Sequence, residues 1–245
     1  MPRPLPQPLP PEARTVGQVV AEAIRLYGRR FWPALALGLP LLVFDQLALG
    51  HSAGGRAAVF AAAAPCFATA YAAASVLATG ARPSPRSFAV AVALGTAVLA
   101  PVALLISWFA LLAVAYLALV GLVVPVAIVE TRGPLDAFRR AGELGRADYI
   151  HALGSLAALV IVFFVARIGL VALLQAQAEN TVRIAVALAD LVLSPLLFLG
   201  AALLYFDQAA RVVHSGSRTR RRSDADVHPA VDADGSGRAD PEVQP

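Results

Sequence analysis

Most of the chain between residues 31 and 206 consists of long apolar stretches separated by short polar ones. About 20 apolar residues in a helix cross the ~30 Å hydrocarbon core of a bilayer, so each such stretch predicts one membrane-spanning helix. The uncharged run 88–129 is long enough for two spans. We divide it near Ser107 and Trp108, because an indole ring is favoured at a membrane interface. Six spans are predicted, at 31–49, 57–79, two within 88–129, 149–174 and 184–206.

Two further segments have apolar residues at helical spacing but too many charges to cross a bilayer. TVGQVVAEAIRLYGRR (15–30) begins with a capping box, Thr15 followed by Gln18. GPLDAFRRAGELGR (133–146) has Pro134 at a first-turn position and a predicted apolar stripe of Leu135, Phe138, Ala141 and Leu144. Such helices lie in the membrane interface with the apolar face toward lipid.

The charged residues of the second amphipathic helix are spaced for mutual pairing. Asp136 precedes Arg140 by four residues, and Arg139 precedes Glu143 by four. Side chains four apart are neighbours on a helix surface, so both pairs are predicted to form ion pairs.

The distribution of arginine predicts the orientation of the spans. All 20 basic residues are Arg, and the loops on one side of the predicted membrane hold only Arg56 and Arg183. Because cytoplasmic loops carry an excess of basic residues, both termini are expected to be cytoplasmic. The predicted class is an all-α polytopic membrane protein with six transmembrane helices and two cytoplasmic interfacial amphipathic helices, located in the plasma membrane.

Composition agrees with this class and divides the chain into three parts. Charged residues make up 15% of the chain, against about 25% in a typical soluble domain. Residues 1–14 are expected to form a disordered Pro-rich arm, 15–211 the membrane domain, and 212–245 a disordered polar tail. The tail contains a basic cluster of Arg218, Arg220, Arg221 and Arg222. This cluster either attracts anionic lipid headgroups or only anchors the topology.

Signatures of catalysis or metal binding are not found in the sequence. No phosphate-binding loop, nucleophile elbow or HExxH motif occurs, and the four His residues have no ligand spacing. The single Cys66 excludes an intramolecular disulfide. We therefore expect no enzymatic activity, no cofactor and no metal.

Three charged residues lie inside the predicted spans: Asp45, Arg167 and Asp190. Counted at 1.5 Å per residue, all three lie roughly 6–11 Å from the same predicted membrane boundary. An unpaired charge there costs about 2.5–3.5 kcal/mol on insertion scales, so Arg167 is predicted to pair with Asp190, with Asp45 as a possible third member. The cluster is either a structural bridge or a polar site for a solute.

The stretch VVPVAIVETRGPLDAFRRAGEL (123–144) resembles a segment of the membrane domain found with glycerophosphoryl diester phosphodiesterases and in stand-alone bacterial membrane proteins. The entry segment 15–35 and the exit LLYFDQAARV (203–212) resemble the same family. The resemblance implies a six-span fold without catalysis, because the family's activity resides in a separate soluble domain. It also implies charged positions typical of the family on the cytoplasmic face: Glu130, Arg139, Asp207 and Arg211. Ala209 departs from the pattern, since the family usually has a further Arg there.

Two functions therefore stay open. The first is a non-enzymatic membrane module that interacts with membrane lipids, with a partner protein or with a second copy of itself, but not with nucleic acid. The alternative is a small solute transporter or channel-like protein that uses the Asp45, Arg167 and Asp190 site.

Overall fold

The computed structural model describes residues 15–106, 108–130 and 133–227, which form helices and no strand. The predicted N-terminal arm and the last part of the predicted tail lie outside these residues. The helices are α1 (Val16–Arg29), α2 (Phe31–Ala36), α3 (Leu39–Ala48), α4 (Ala53–Ala62), α5 (Ala64–Thr79), α6 (Pro85–Ile106), α7 (Ala110–Val120), α8 (Val123–Val129), α9 (Pro134–Ala147), α10 (Tyr149–Leu174) and α11 (Glu179–Val227).

The helices confirm an all-α, multi-pass membrane protein. Five segments are long and apolar enough to cross a bilayer, namely Phe31–Ala48, Pro85–Ile106, Ala110–Val129, Tyr149–Leu174 and Glu179–Val212. The break between α6 and α7 falls at the predicted position, and Trp108 beside it is 69% exposed.

The predicted second span is a pair of helices, α4 and α5, bent by 52°. Pro65 lies in the first turn of α5, where the missing N–H and the ring end the preceding helix. Both halves pack against α6: Arg56 lines a cavity with Ala103, and Ala68 touches Gly95. Because the pair runs antiparallel to α6 along its length, we count it as one bent span, which gives six.

The densest packing surrounds α8. Every residue from Val123 to Ile128 is buried, against α5, α6 and α9. Small side chains of α5 make the close approach possible. A Cβ added to Gly95 of α6 would lie only 2.9 Å from side chains of both Ala68 and Val124. This core fixes α5, α6 and α8 relative to one another.

Helix α1 begins as predicted, with the Thr15 N–H donating to Gln18 Oε1 at 2.8 Å. Its apolar face packs against α10 and α11, with Val19 and Ala23 buried and Val16 beside Gly154. Part of the apolar face of this amphipathic helix is therefore buried against other helices, while Ile24 on the same helix stays exposed.

Helix α9 is present, and its buried face agrees with the predicted stripe at Ala141 and Leu144 but not at Leu135. Leu135 is 82% exposed, whereas Ala137 is fully buried together with Ala141 and Leu144. The reason is close packing on α7: a Cβ added to Gly145 would lie 2.5 Å from the backbone oxygen of Leu119. The buried face is therefore that of Ala137, Ala141, Leu144 and Gly145, and Leu135 lies outside it.

Helix α11 also differs from the prediction, because it continues past residue 212 to Val227. A helix that is already formed propagates at little cost, and residues 212–227 contain no proline to stop it. The predicted disordered tail is thus helical backbone over 212–227.

Candidate functional site

The three charges of the predicted spans meet at one end of the helix bundle. Arg167 Nη2 donates to Asp45 Oδ2 at 2.5 Å, and Arg167 Nε lies 3.4 Å from Asp190 Oδ1. Asp190 is 0% exposed, and neither of its carboxylate oxygens accepts a hydrogen bond from the described residues. The predicted pairing of Arg167 with Asp190 and Asp45 is therefore confirmed. We call these three residues the Arg167 cluster.

Three helices bring this cluster together. Asp45 lies on α3, Arg167 on α10 and Asp190 on α11. Gly38 allows α3 to approach α11 closely, because a Cβ at this position would overlap the backbone oxygen of Leu191. A second polar contact ties the same helices, since Arg183 Nε donates to Gln46 Oε1 at 2.7 Å.

A cavity of about 480 Å³ opens beside the Arg167 cluster. Its wall is mostly apolar and aromatic, and its charged lining residues are Asp45, Arg56 and Arg167. An apolar cavity of about 260 Å³ adjoins it in the middle of the bundle. The two share a wall formed by Leu41, Phe67, Leu99, Ile106, Phe163, Phe164 and Phe198. We call the two together the central cavity.

A second set of charged residues forms a ring of contacts near the start of α10. Asp148 accepts from the His151 backbone N–H at 3.1 Å through Oδ1, and from Arg211 Nη1 at 2.7 Å through Oδ2. Arg211 Nε donates to Asp207 Oδ2 at 3.3 Å, and that oxygen lies 2.6 Å from His151 Nε2. We call these four residues the Asp207 network. No group of three or more His, Cys, Asp or Glu residues in the described ranges could hold a metal ion.

Glu130, at the end of α8, is bound by one residue of α9 and one of α11. Tyr205 Oη donates to Glu130 Oε1 at 3.1 Å, and Arg140 Nε donates to the same oxygen at 3.5 Å. Arg140 Nη1 also donates to Glu143 at 3.2 Å. The predicted Arg139–Glu143 pair is wrong: Arg139 is exposed, and the orientation of α9 turns Arg140 toward Glu130 instead.

The two charged sets lie at different depths in the same two helices. His151 and Arg167 are about 24 Å apart along α10, and Asp190 and Asp207 about 25 Å apart along α11, at 1.5 Å per residue. This separation approaches the ~30 Å thickness of a bilayer's hydrocarbon core. The Arg167 cluster and the Asp207 network therefore mark two opposite polar levels of the bundle.

Between these levels α10 and α11 are in close apolar contact. A Cβ added to Gly200 would lie 2.5 Å from the side chain of Leu159. Ser155 and Ser194 are buried and find no hydrogen-bond partner among the described residues. The charged groups at the two levels are thus separated by apolar side chains, which also line the cavity of about 260 Å³.

Sequence reasoning missed several residues of these sites. Arg56 was treated as a loop charge, although α4 starts at Ala53 and carries it along the cavity. His151 stood alone in the sequence, without visible ligand spacing. Asp148 had a detectable signal, because an Asp directly before an apolar helix is a typical N-cap.

The remaining predicted site residues are Arg218, Arg220, Arg221 and Arg222. Their backbone belongs to α11, but their side chains lie outside the described part of the structure. A role for them in binding lipid headgroups stays a prediction.

Comparison of the chain with protein-family models, with curated proteins and with solved structures found no match in any of the three. The resemblance to the membrane domain of glycerophosphoryl diester phosphodiesterases therefore stays a prediction that rests on the motifs quoted above.

Proposed function

We propose that the chain is a non-enzymatic module of the plasma membrane, with both termini cytoplasmic, that interacts with lipid or with a partner protein. The observation that carries the proposal is that the intramembrane charges are paired with one another. Arg167 contacts two carboxylates, and the Asp207 network forms a closed ring of contacts. A transported ion or proton needs groups that it can reach and leave, and paired charges of this kind suit a structural role.

A transporter is the second candidate, and one observation favours it. Asp45 and Arg167 line the central cavity, so a solute that enters this cavity meets two charged groups. Against it, Asp190 is fully buried and does not line the cavity, and the cavity of about 260 Å³ between the two polar levels is lined by no charged residue among those described. We therefore favour the module.

Liposome flux distinguishes the two candidates. We expect liposomes containing the full chain to take up protons and Na⁺ no faster than protein-free liposomes under an imposed gradient, with dyes sensitive to H⁺ or Na⁺ as the readout. Asp190→Asn liposomes should behave in the same way, because the carboxylate serves packing and not transport. Uptake that requires the wild-type protein and is lost in Asp190→Asn would support the transporter instead.

The proposed orientation has its own test, which uses single cysteines in a Cys66→Ala background. We expect an impermeant maleimide to label His51→Cys and Gln177→Cys in intact cells, because both exposed positions lie at the Arg-poor side. Ala147→Cys, exposed at the end of α9, should react only after the membrane is permeabilised. Labelling of Ala147→Cys in intact cells, with protection of the other two, would reverse the topology.

A further inference from the structure

We infer that the central cavity holds one acyl chain of an anionic phospholipid, with the lipid phosphate bound by Arg56. This inference rests on the proposed function, and it names the lipid class and the place at which lipid binds. Four properties of the cavity lead to it: its lining, its free charge, its depth and its position beside the polar level of the Arg167 cluster.

The lining suits a hydrocarbon chain. Aromatic residues from four helices face the larger part of the cavity, including Phe60, Phe67, Phe163 and Phe198. The smaller part is lined almost entirely by apolar side chains, and Tyr71 on its wall already donates its hydroxyl to the backbone oxygen of Ala201. A volume of about 480 Å³ lies within the usual range of ligand pockets, roughly 300–1,000 Å³.

The charge at the cavity is complementary to a phosphate. Arg167 already contacts two carboxylates, so it offers little to a further anion. Arg56 lines the same cavity, is exposed, and forms no ion pair with any described residue. A guanidinium binds phosphate oxygens through two parallel hydrogen bonds, which makes Arg56 the group that would hold a lipid headgroup.

The depth matches one leaflet. The larger part of the cavity reaches along α10 as far as Phe163, eleven residues before the predicted end of the fifth span at 174, which is a depth of about 16 Å at 1.5 Å per residue. The hydrocarbon core is ~30 Å thick, so one leaflet contributes about 15 Å, the reach of a single lipid tail. With its phosphate at Arg56, a lipid would place one tail in this space while its other tail stays among the bulk lipids.

Native mass spectrometry of the detergent-solubilised full chain tests the inference. Titration with phosphatidylglycerol and with phosphatidylcholine is expected to show one tightly bound phosphatidylglycerol. Arg56→Gln should weaken that binding at least about fivefold, because one basic group near a phosphate accounts for about that factor. Arg183→Gln is the matched control, since Arg183 lies at the same end but bonds Gln46 outside the cavity, and it should bind like wild type.

Binding of the lipid acyl chain is tested separately from binding of the lipid headgroup. Leu41→Phe and Ala103→Leu enlarge side chains that line the cavity, and either should lower the occupancy of both lipids while the melting temperature confirms folding. Glycerol phosphate, which has a phosphate but no tail, should not bind at the same concentration.

Equal binding of phosphatidylglycerol by Arg56→Gln and wild type, or by folded cavity-filling variants and wild type, would overturn the inference. So would equal binding of glycerol phosphate. These outcomes leave the proposed function intact when the liposomes show no flux. Protein-dependent flux that Asp190→Asn abolishes would instead overturn the proposed function, whatever the lipid binding.

Discussion

Replacement of Arg167 by Met is expected to cause the largest loss of stability of any single substitution in the described part of the chain. The change leaves Asp45 and the fully buried Asp190 facing each other without a cation. Removal of one partner from a buried ion pair costs about 3–5 kcal/mol. This is a large part of the roughly 5–15 kcal/mol by which folded proteins are stable. The measurement is the melting temperature and the monodisperse yield in detergent.

Arg183→Met is the matched control for this experiment. Arg183 also bonds a residue of α3 from α11, but the contact is exposed, and such contacts are worth about 0–1 kcal/mol. The double variant Arg167→Met with Asp190→Asn should recover part of the loss, because it removes the buried uncompensated charge. Exchange of the two charges, Arg167→Asp with Asp190→Arg, should also recover expression relative to either single change. If Arg167→Met were as stable as Arg183→Met, the cluster would contribute nothing to folding.

The second large effect is expected from Gly38→Ala, which adds one methyl group between α3 and α11. Its Cβ would overlap the backbone oxygen of Leu191, and backbone cannot move aside as a side chain can. Overpacking of a close contact typically costs about 1–3 kcal/mol. Separation of the two helices would also lengthen the contacts of Asp45 and Asp190 with Arg167.

Gly169→Ala makes the same chemical change on α10, where a Cβ would meet nothing within 4 Å. It should leave the protein unchanged or stabilise it by about 0.5–1 kcal/mol, because Ala is the better helix former. The difference in melting temperature between the two variants therefore measures the packing of α3 on α11. Equal melting temperatures would show that α3 does not approach α11 this closely.

The sequence predicted the parts of the fold that are set by length and polarity. A run of about 20 apolar residues has few alternatives in a bilayer, so the spans and the break between α6 and α7 were found. The cost of an unpaired charge in hydrocarbon likewise predicted the contact between Arg167 and Asp190. Both predictions depend on the free energy of transferring a segment or a charge from water into hydrocarbon. This free energy depends little on the rest of the fold.

Features that depend on how helices pack could not be predicted in this way. The exposure of Leu135 on α9 follows from the close approach of Gly145 to Leu119, which fixes the side of the helix that is buried. The contact of His151 with Asp207 joins residues far apart in the chain, and no sequence pattern around either residue indicates this contact. The central cavity lies between seven helices, and the sequence of a single helix does not indicate the space that it encloses with the others.

The polar contacts near both ends of α10 and α11 limit how the protein can adapt to a membrane. Helices of this kind can often slide or tilt against each other when the bilayer becomes thinner or thicker. Here a shift of one turn, 5.4 Å, would break the contact of Arg167 with Asp190 and that of His151 with Asp207 together. Helices α10 and α11 therefore cannot slide along each other to change their combined length. The thickness of the lipid bilayer around them, rather than the arrangement of these two helices, must change to match.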